Sequence, residues 1–185
     1  MGSEYTLEKT LTNLISRSPP LPPVLPSLSK VDTLLAAGAD VHSKSNGATA
    51  LLAAASNGHD KVVAALIAAG ADVNFAKDST GTTALLLSAP GGHDAVVKHL
   101  ITAGADVDLA RVSDGVTPLL LAAKKGRLGV AAQLVFAGAD VNCVVMGSGH
   151  TALTAAARNW RTDPDGAVVE LLIAGGADVH HTLTR

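Results

Sequence analysis

The segment Gly58–Asn74, GHDKVVAALIAAGADVN, ends in a tetrapeptide, Gly-Ala-Asp-Val, that also begins at Gly38, Gly104, Gly138 and Gly176. A second marker keeps stricter time. Thr49-Ala50-Leu51 returns as Thr83-Ala84-Leu85, Thr117-Pro118-Leu119 and Thr151-Ala152-Leu153, each 34 residues after the last. Two markers in phase describe an array of units that cannot bury their apolar faces alone and stack until they can.

Each unit reads as a glycine-bearing turn, a threonine, an apolar helix, a Gly-containing bend, a second helix and then GADV. Thr49, Thr83, Thr117 and Thr151 suit a helix N-cap, where a hydroxyl accepts from an orphan amide, and Pro118 suits the first helical position, which needs no donor. Asp60 and Asp94 are expected to start the second helices in the same way. Gly70, Gly104 and Gly138 stand where a helix ends in a left-handed residue, which only glycine adopts without steric cost. Gly104→Val is therefore expected to cost at least about 1 kcal/mol.

The array is less regular at its ends. Leu7, Leu11, Leu14 and Ile15 are spaced for an amphipathic helix over residues 1–16. Residues 17–26 hold RSPPLPPVLP, whose prolines exclude a helix, so the segment is read as a polyproline linker. Ser27–Ala37 then supplies an outer helix with Val31, Leu34 and Leu35 inward, within an irregular capping repeat at 27–47. Four repeats follow at 48–81, 82–115, 116–149 and 150–185. In the repeat at 116–149 Gly129 falls inside the second helix and weakens it by about 1 kcal/mol relative to alanine. The last repeat carries four extra residues, in RNWRTDPDGAVV, where Asp163 or Asp165 can cap the helix after them.

The chain of 185 residues has a formal net charge of -2, which gives no basic field for nucleic acid. Hydrophobic residues make up 48% and aromatic residues only 2%, so the core must be built from small aliphatic side chains. The lone Cys143 has no partner for a disulfide and favours a reducing, intracellular and by default cytoplasmic setting. No apolar run is long enough to span a bilayer.

Gly81-Thr82-Thr83-Ala84-Leu85, Gly115-Val116-Thr117-Pro118-Leu119, Gly58-His59, Gly92-His93 and the GADV segments together resemble the ankyrin-repeat family over roughly Val31 to Val179. The resemblance implies an all-α solenoid of stacked helix-turn-helix units with projecting hairpin loops. Two features depart from the family pattern. Leu52, Leu86, Leu120 and Thr154 stand where the family usually has a histidine, and the hairpins after Asn74, Asp108 and Asn142 are one residue longer than a 33-residue period allows.

The resemblance also implies a non-catalytic protein that binds a partner protein on a concave face of hairpin tips and inner helices. By register that face takes Ser79, Thr80 and Thr82, then Ser113, Asp114 and Val116, then Gly147, Ser148 and His150, with Ser56 and Asn57 at the end of an inner helix. Lys124, Lys125, Arg158 and Asn159 add a basic patch near the inner-helix ends. The hairpins grow more apolar along the array, from Lys77-Asp78 through Arg111-Val112 to Val145-Met146, which places an apolar contact site at the last two. Phe75, Leu109 and Cys143 line up one repeat apart and are expected to pack between hairpins.

The last helix, Ala167 to Ala174, is apolar nearly all round. Val168 and Leu172 are accordingly expected on a carboxyl-terminal docking face, through which the chain would self-associate or sit as a constitutive subunit of a larger assembly. Arg17, Pro20 and Pro23 fit a ligand for Src-homology-3 or WW domains, or else simply replace a helix. Met1-Gly2 with Thr6 matches an N-myristoylation pattern that lacks a second membrane signal. His59 and His93 share one bend position and are read as structural hydrogen-bonders. No metal, cofactor or catalytic constellation is expected, because no such set has the required spacing.

Overall fold

The computed structural model describes residues 28–180 apart from Asp78, Trp160 and Thr162. The expected amino-terminal helix, and the proline motif with Arg17, Pro20 and Pro23, lie outside the described residues. From the start of the described chain the helices are α1 (Leu28–Ala36), α2 (Ala50–Ser56), α3 (Asp60–Ala68), α4 (Ala84–Ser88) and α5 (Asp94–Thr102). They continue as α6 (Pro118–Lys124), α7 (Leu128–Phe136), α8 (Ala152–Ala157) and α9 (Ala167–Ala174). Helices α2, α4, α6 and α8 form an inner row and α1, α3, α5, α7 and α9 an outer row; each helix packs on its row neighbours.

The tetrapeptide Gly-Ala-Asp-Val is the joint of this solenoid. At Gly70, φ is +88°; its amide donates to the Ile67 carbonyl at 2.9 Å and the Ala71 amide to the Leu66 carbonyl at 3.0 Å. That bond pair closes the helix while the left-handed glycine turns the chain. The aspartate then opens the hairpin: Asp72 Oδ1 accepts from the Asn74 amide, and Asp40, Asp106, Asp140 and Asp178 accept likewise two residues on. Short polar side chains favour such local turns.

Inner helices begin as the threonines predict. Thr49, Thr83, Thr117 and Thr151 each accept from the amide three residues on, at 3.2–3.4 Å. Thr154, one of the departures from the family pattern, returns the favour: its hydroxyl accepts from the Thr151 amide at 2.9 Å and completes a capping box. The outer helices differ from expectation. Asp60 and Asp94 are first-turn residues, and the cap positions belong to His59 and His93, which make no side-chain capping bond. The His93 ring instead packs against glycine backbone, so that a β-carbon at Gly58 would meet its Nδ1 at 2.5 Å and one at Gly91 its Nε2 at 2.4 Å.

The hairpins account for the change of period. The first pairs Lys44 with Thr49 and Ser45 with Ala48 across a two-residue turn, Asn46-Gly47, with φ of +52° and +73°. Later hairpins close with Lys77 N–H to the Thr82 carbonyl, Arg111 N–H to that of Val116 and Val145 N–H to that of His150, each spanning four residues. Lys44 and Thr49 enclose four residues as well, so the unit lengthens from 32 residues, Gly38 to Gly70, to 34 by one residue before the paired span and one after it, where Thr83 and not the paired Thr82 is the helix cap.

The core is a continuous aliphatic row in which Leu51, Leu66, Leu85, Leu100, Leu119, Leu134 and Leu172 are essentially inaccessible. Phe75 is half-buried against this core, with the Lys44 ammonium 4.7 Å from its ring centre. Leu109 and Cys143 are half-buried as well. Val168 and Leu172 are both fully buried. They therefore present no docking face; they correspond to Val130 and Leu134 of the preceding outer helix and fill the same slot between the two rows. Gly129 is no mere flaw in α7, because a β-carbon there would lie 2.2 Å from Asp94 Oδ1. That carboxylate crosses from the previous repeat and accepts from Gln133 Nε2 at 3.2 Å.

Candidate functional site

Between the last two regular hairpins and the inner helices α6 and α8 runs an open groove of about 620 Å³. Its floor is a small apolar cluster of Val116, Leu120, Val145 and Ala155, separate from the main core, with Leu121 packed beneath. The sequence sets this opening. Ala155 stands where the two preceding repeats have Leu87 and Leu121, and its short side chain leaves the space that a leucine would occupy.

The hairpin wall is held by a bidentate pair: Arg111 Nε donates to Asp114 Oδ1 at 2.8 Å and Nη2 to Oδ2 at 2.5 Å. The guanidinium hydrogen bond holds the Asp114 carboxyl below the usual carboxylate range and raises the Arg111 pKa. Asp114 also accepts from the Val116 amide at 3.3 Å, which rigidifies the loop. Across the groove, Arg158 Nη1 lies 2.7 Å from His150 Nε2. A guanidinium has no acceptor, so Nε2 accepts and His150 carries its proton on Nδ1. Asn159 Nδ2 donates to the Lys124 carbonyl and ties together the ends of the two inner helices.

Of the residues singled out in the sequence, Asp114, Val116, Lys124, Val145, Met146, His150, Arg158 and Asn159 all line this groove. Val145 does so from the floor, where it is 7% exposed, and not from an exposed tip as expected. Val112 and Met146 are the exposed tips, at 84% and 83%. Each rests on the glycine turn of the hairpin before it: a β-carbon at Gly81 would strike Val112, and one at Gly115 would touch Met146. Ser79, Thr80 and Thr82 sit on an earlier hairpin outside the groove, with the two threonine hydroxyls 2.6 Å apart. Lys125 is exposed just beyond the groove. Leu120 and Ala155 were not singled out as site residues; the signal was Ala155, the one small residue after two leucines in its register.

Cys143 is half-buried, and burial first, then Asp140 and Asp108, push its thiol pKa up, which disfavours the reactive thiolate. Among the described residues no three of His, Cys, Asp and Glu gather as a metal site, and no helix is long and apolar enough to cross a membrane.

Fold and groove together define a repeat solenoid with a side-chain-lined recognition surface. A family model described as ankyrin repeats (3 copies) matches residues 26–111 and again 89–182. The chain belongs to the ankyrin-repeat family, whose repeats are generally protein–protein interaction modules and typically non-catalytic. No curated relative matches the chain.

Proposed function

We propose that the chain is a non-catalytic recognition module, an adaptor or scaffold that binds a partner protein through the groove between the hairpins at 111–116 and 145–150 and the ends of α6 and α8. The observation that carries this reading is the apolar floor of Val116, Leu120, Val145 and Ala155 beneath a fixed polar rim. An interface with a buried apolar centre and a polar edge is the usual anatomy of a protein contact. Exposed Val112 and Met146 extend the apolar surface toward the preceding hairpin. Packed helices about 8–10 Å apart give the array room for the roughly 800 Å² per partner that a standard interface buries. The free, half-buried Cys143 suits a reducing intracellular, by default cytoplasmic, setting.

The test is selection of binders from a displayed library of random 12-residue peptides, followed by titration against the whole chain and against Ala155→Leu. A leucine here repeats Leu87 and Leu121 and fills the groove. Peptides that lose at least about tenfold in affinity to a normally folded Ala155→Leu support the reading; unchanged affinity removes it.

A second reading, a constitutive structural subunit docked through the last repeat, draws support from Ile173 and Val179, which are 49% and 57% exposed. It predicts self-association or co-purification with a fixed partner.

A further inference from the structure

The rim of the groove is unbalanced in charge. Asp114 is the one carboxylate lining it, and both of its oxygens already accept from Arg111. On the facing wall Lys124 and Arg158 end the inner helices α6 and α8. No carboxylate pairs with either among the described residues. The partner of Arg158 is the neutral His150 ring, which orients the guanidinium and leaves its charge uncompensated. Asn159 fixes the spacing of the two helix ends by its bond to the Lys124 carbonyl. Two cations are thus presented at the edge of an aliphatic floor.

Cations at helix ends also complement the helix dipole, a role that needs no ligand. That role does not account for their convergence on one groove, nor for an orienting bond from a neutral imidazole. A positive rim beside an apolar floor is complementary to a segment that is both anionic and apolar. A nucleic acid would leave the aliphatic floor unsatisfied, and the chain's net charge of -2 would repel it.

Resting on the groove reading above, we infer that the occupant is a linear peptide segment in which an aliphatic or aromatic side chain covers Leu120, Val145 and Ala155 while a neighbouring aspartate or glutamate is held by Lys124 and Arg158. The guanidinium takes the carboxylate through paired N–H donors, a geometry in which arginine outperforms lysine. Lys124 adds a mobile second charge.

The library selection on the whole chain provides the test. The peptides recovered are expected to share an apolar residue with Asp or Glu within a few positions of it. Replacing that acid by its amide should weaken binding by about tenfold, as for loss of a charge-assisted hydrogen bond. Affinity should fall as salt rises from about 50 to about 300 mM, because rim charges are screened. The variant Lys124→Glu/Arg158→Glu should reject these peptides and accept versions in which the acid is replaced by lysine. The milder Lys124→Gln/Arg158→Gln, with its fold checked by circular dichroism, should weaken binding without accepting the lysine versions. Peptides that lose affinity to Ala155→Leu yet show no acid preference, or that ignore the charge reversal, overturn this inference and leave the groove reading standing. Failure to select any peptide, or selection indifferent to Ala155→Leu, overturns both.

Discussion

Asn74, Asp108 and Asn142 occupy one register position at the foot of successive hairpins, and the difference of one atom type between them has an energetic consequence. The Asn74 amide works in both directions, donating to the Gly104 carbonyl at 3.3 Å and accepting from the Asp106 amide at 2.8 Å. Asn142 repeats this with Gly176 and Asp178. Asp108 accepts from the Asp140 amide at 3.0 Å, but a carboxylate has no donor for the Gly138 carbonyl, and it stands near other acids. Asp108→Asn is therefore expected to raise stability by about 1 kcal/mol, the net worth of one hydrogen bond, read as an increase in the urea midpoint at unchanged slope. Gly104→Val should act the other way: φ is +85° and nothing lies within 4 Å of a β-carbon there, so its cost of about 1–2 kcal/mol is all backbone strain. A third single-residue effect depends on pH. Burial first, and then the neighbouring His93 against the opposing pull of Asp60, lowers the pKa of His59 below its ordinary 6.5. A base with a lowered folded-state pKa leaves stability intact above the unfolded value and removes it as pH falls through 6.5 toward the folded value. Wild type should thus lose more stability than His59→Gln between about pH 7.5 and pH 5, a difference measurable by paired urea titrations.

Helix ends were legible in the sequence where their chemistry is local. A threonine three residues before its amide partner, or a glycine after an apolar run, can be read without knowing what lies across the fold. Asp163 belongs to this class: Oδ1 accepts from the Ala167 amide at 3.0 Å and Oδ2 from the Val168 amide at 2.9 Å. The inserted loop thereby caps α9 with a charged acceptor, although Gly166 holds the formal cap position. Asp163→Ala should cost about 1–2 kcal/mol, and backbone hydrogen exchange should localise the loss to α9 and its neighbours. Orientation was not local. A helix with Glu170 as its only charge gives no polar stripe to mark the outside, so Val168 and Leu172 read as surface when register with Val130 and Leu134 places them inside. Gly129 is a similar case, since the carboxylate that requires it comes from Asp94 in the previous repeat. The groove was half legible. Its rim followed from counting in steps of 34, but its floor depends on how far Leu120, Val145 and Ala155 project, which no spacing reveals.

At the scale of the whole molecule, each repeat touches only its neighbours, so stability is a sum of repeat and interface terms, and the two ends of the described array need not be equivalent. The last outer helix buries Val168 and Leu172 completely, but Ala157, at the register of the buried Ala55, Ala89 and Ala123, is exposed, as is Ile173. Phe136 on the neighbouring outer helix is 96% exposed. A stable dimer through the last repeat would need some 20–30 residues a side, and among its described residues the large apolar side chains it exposes, Ile173 and Val179, are each only about half exposed. The chain is accordingly expected to run as a monomer of 18.5 kDa by light scattering across the micromolar range. The variants that discriminate are set by burial. Val168→Asp and Leu172→Asp place a charge in the fully buried slot between α8 and the outer row, and they should unfold the last repeat without improving solubility. Ile173→Asp should leave stability nearly unchanged. A concentration-dependent dimer that Ile173→Asp abolishes would instead establish the end face as an interface and favour the structural-subunit reading over the groove.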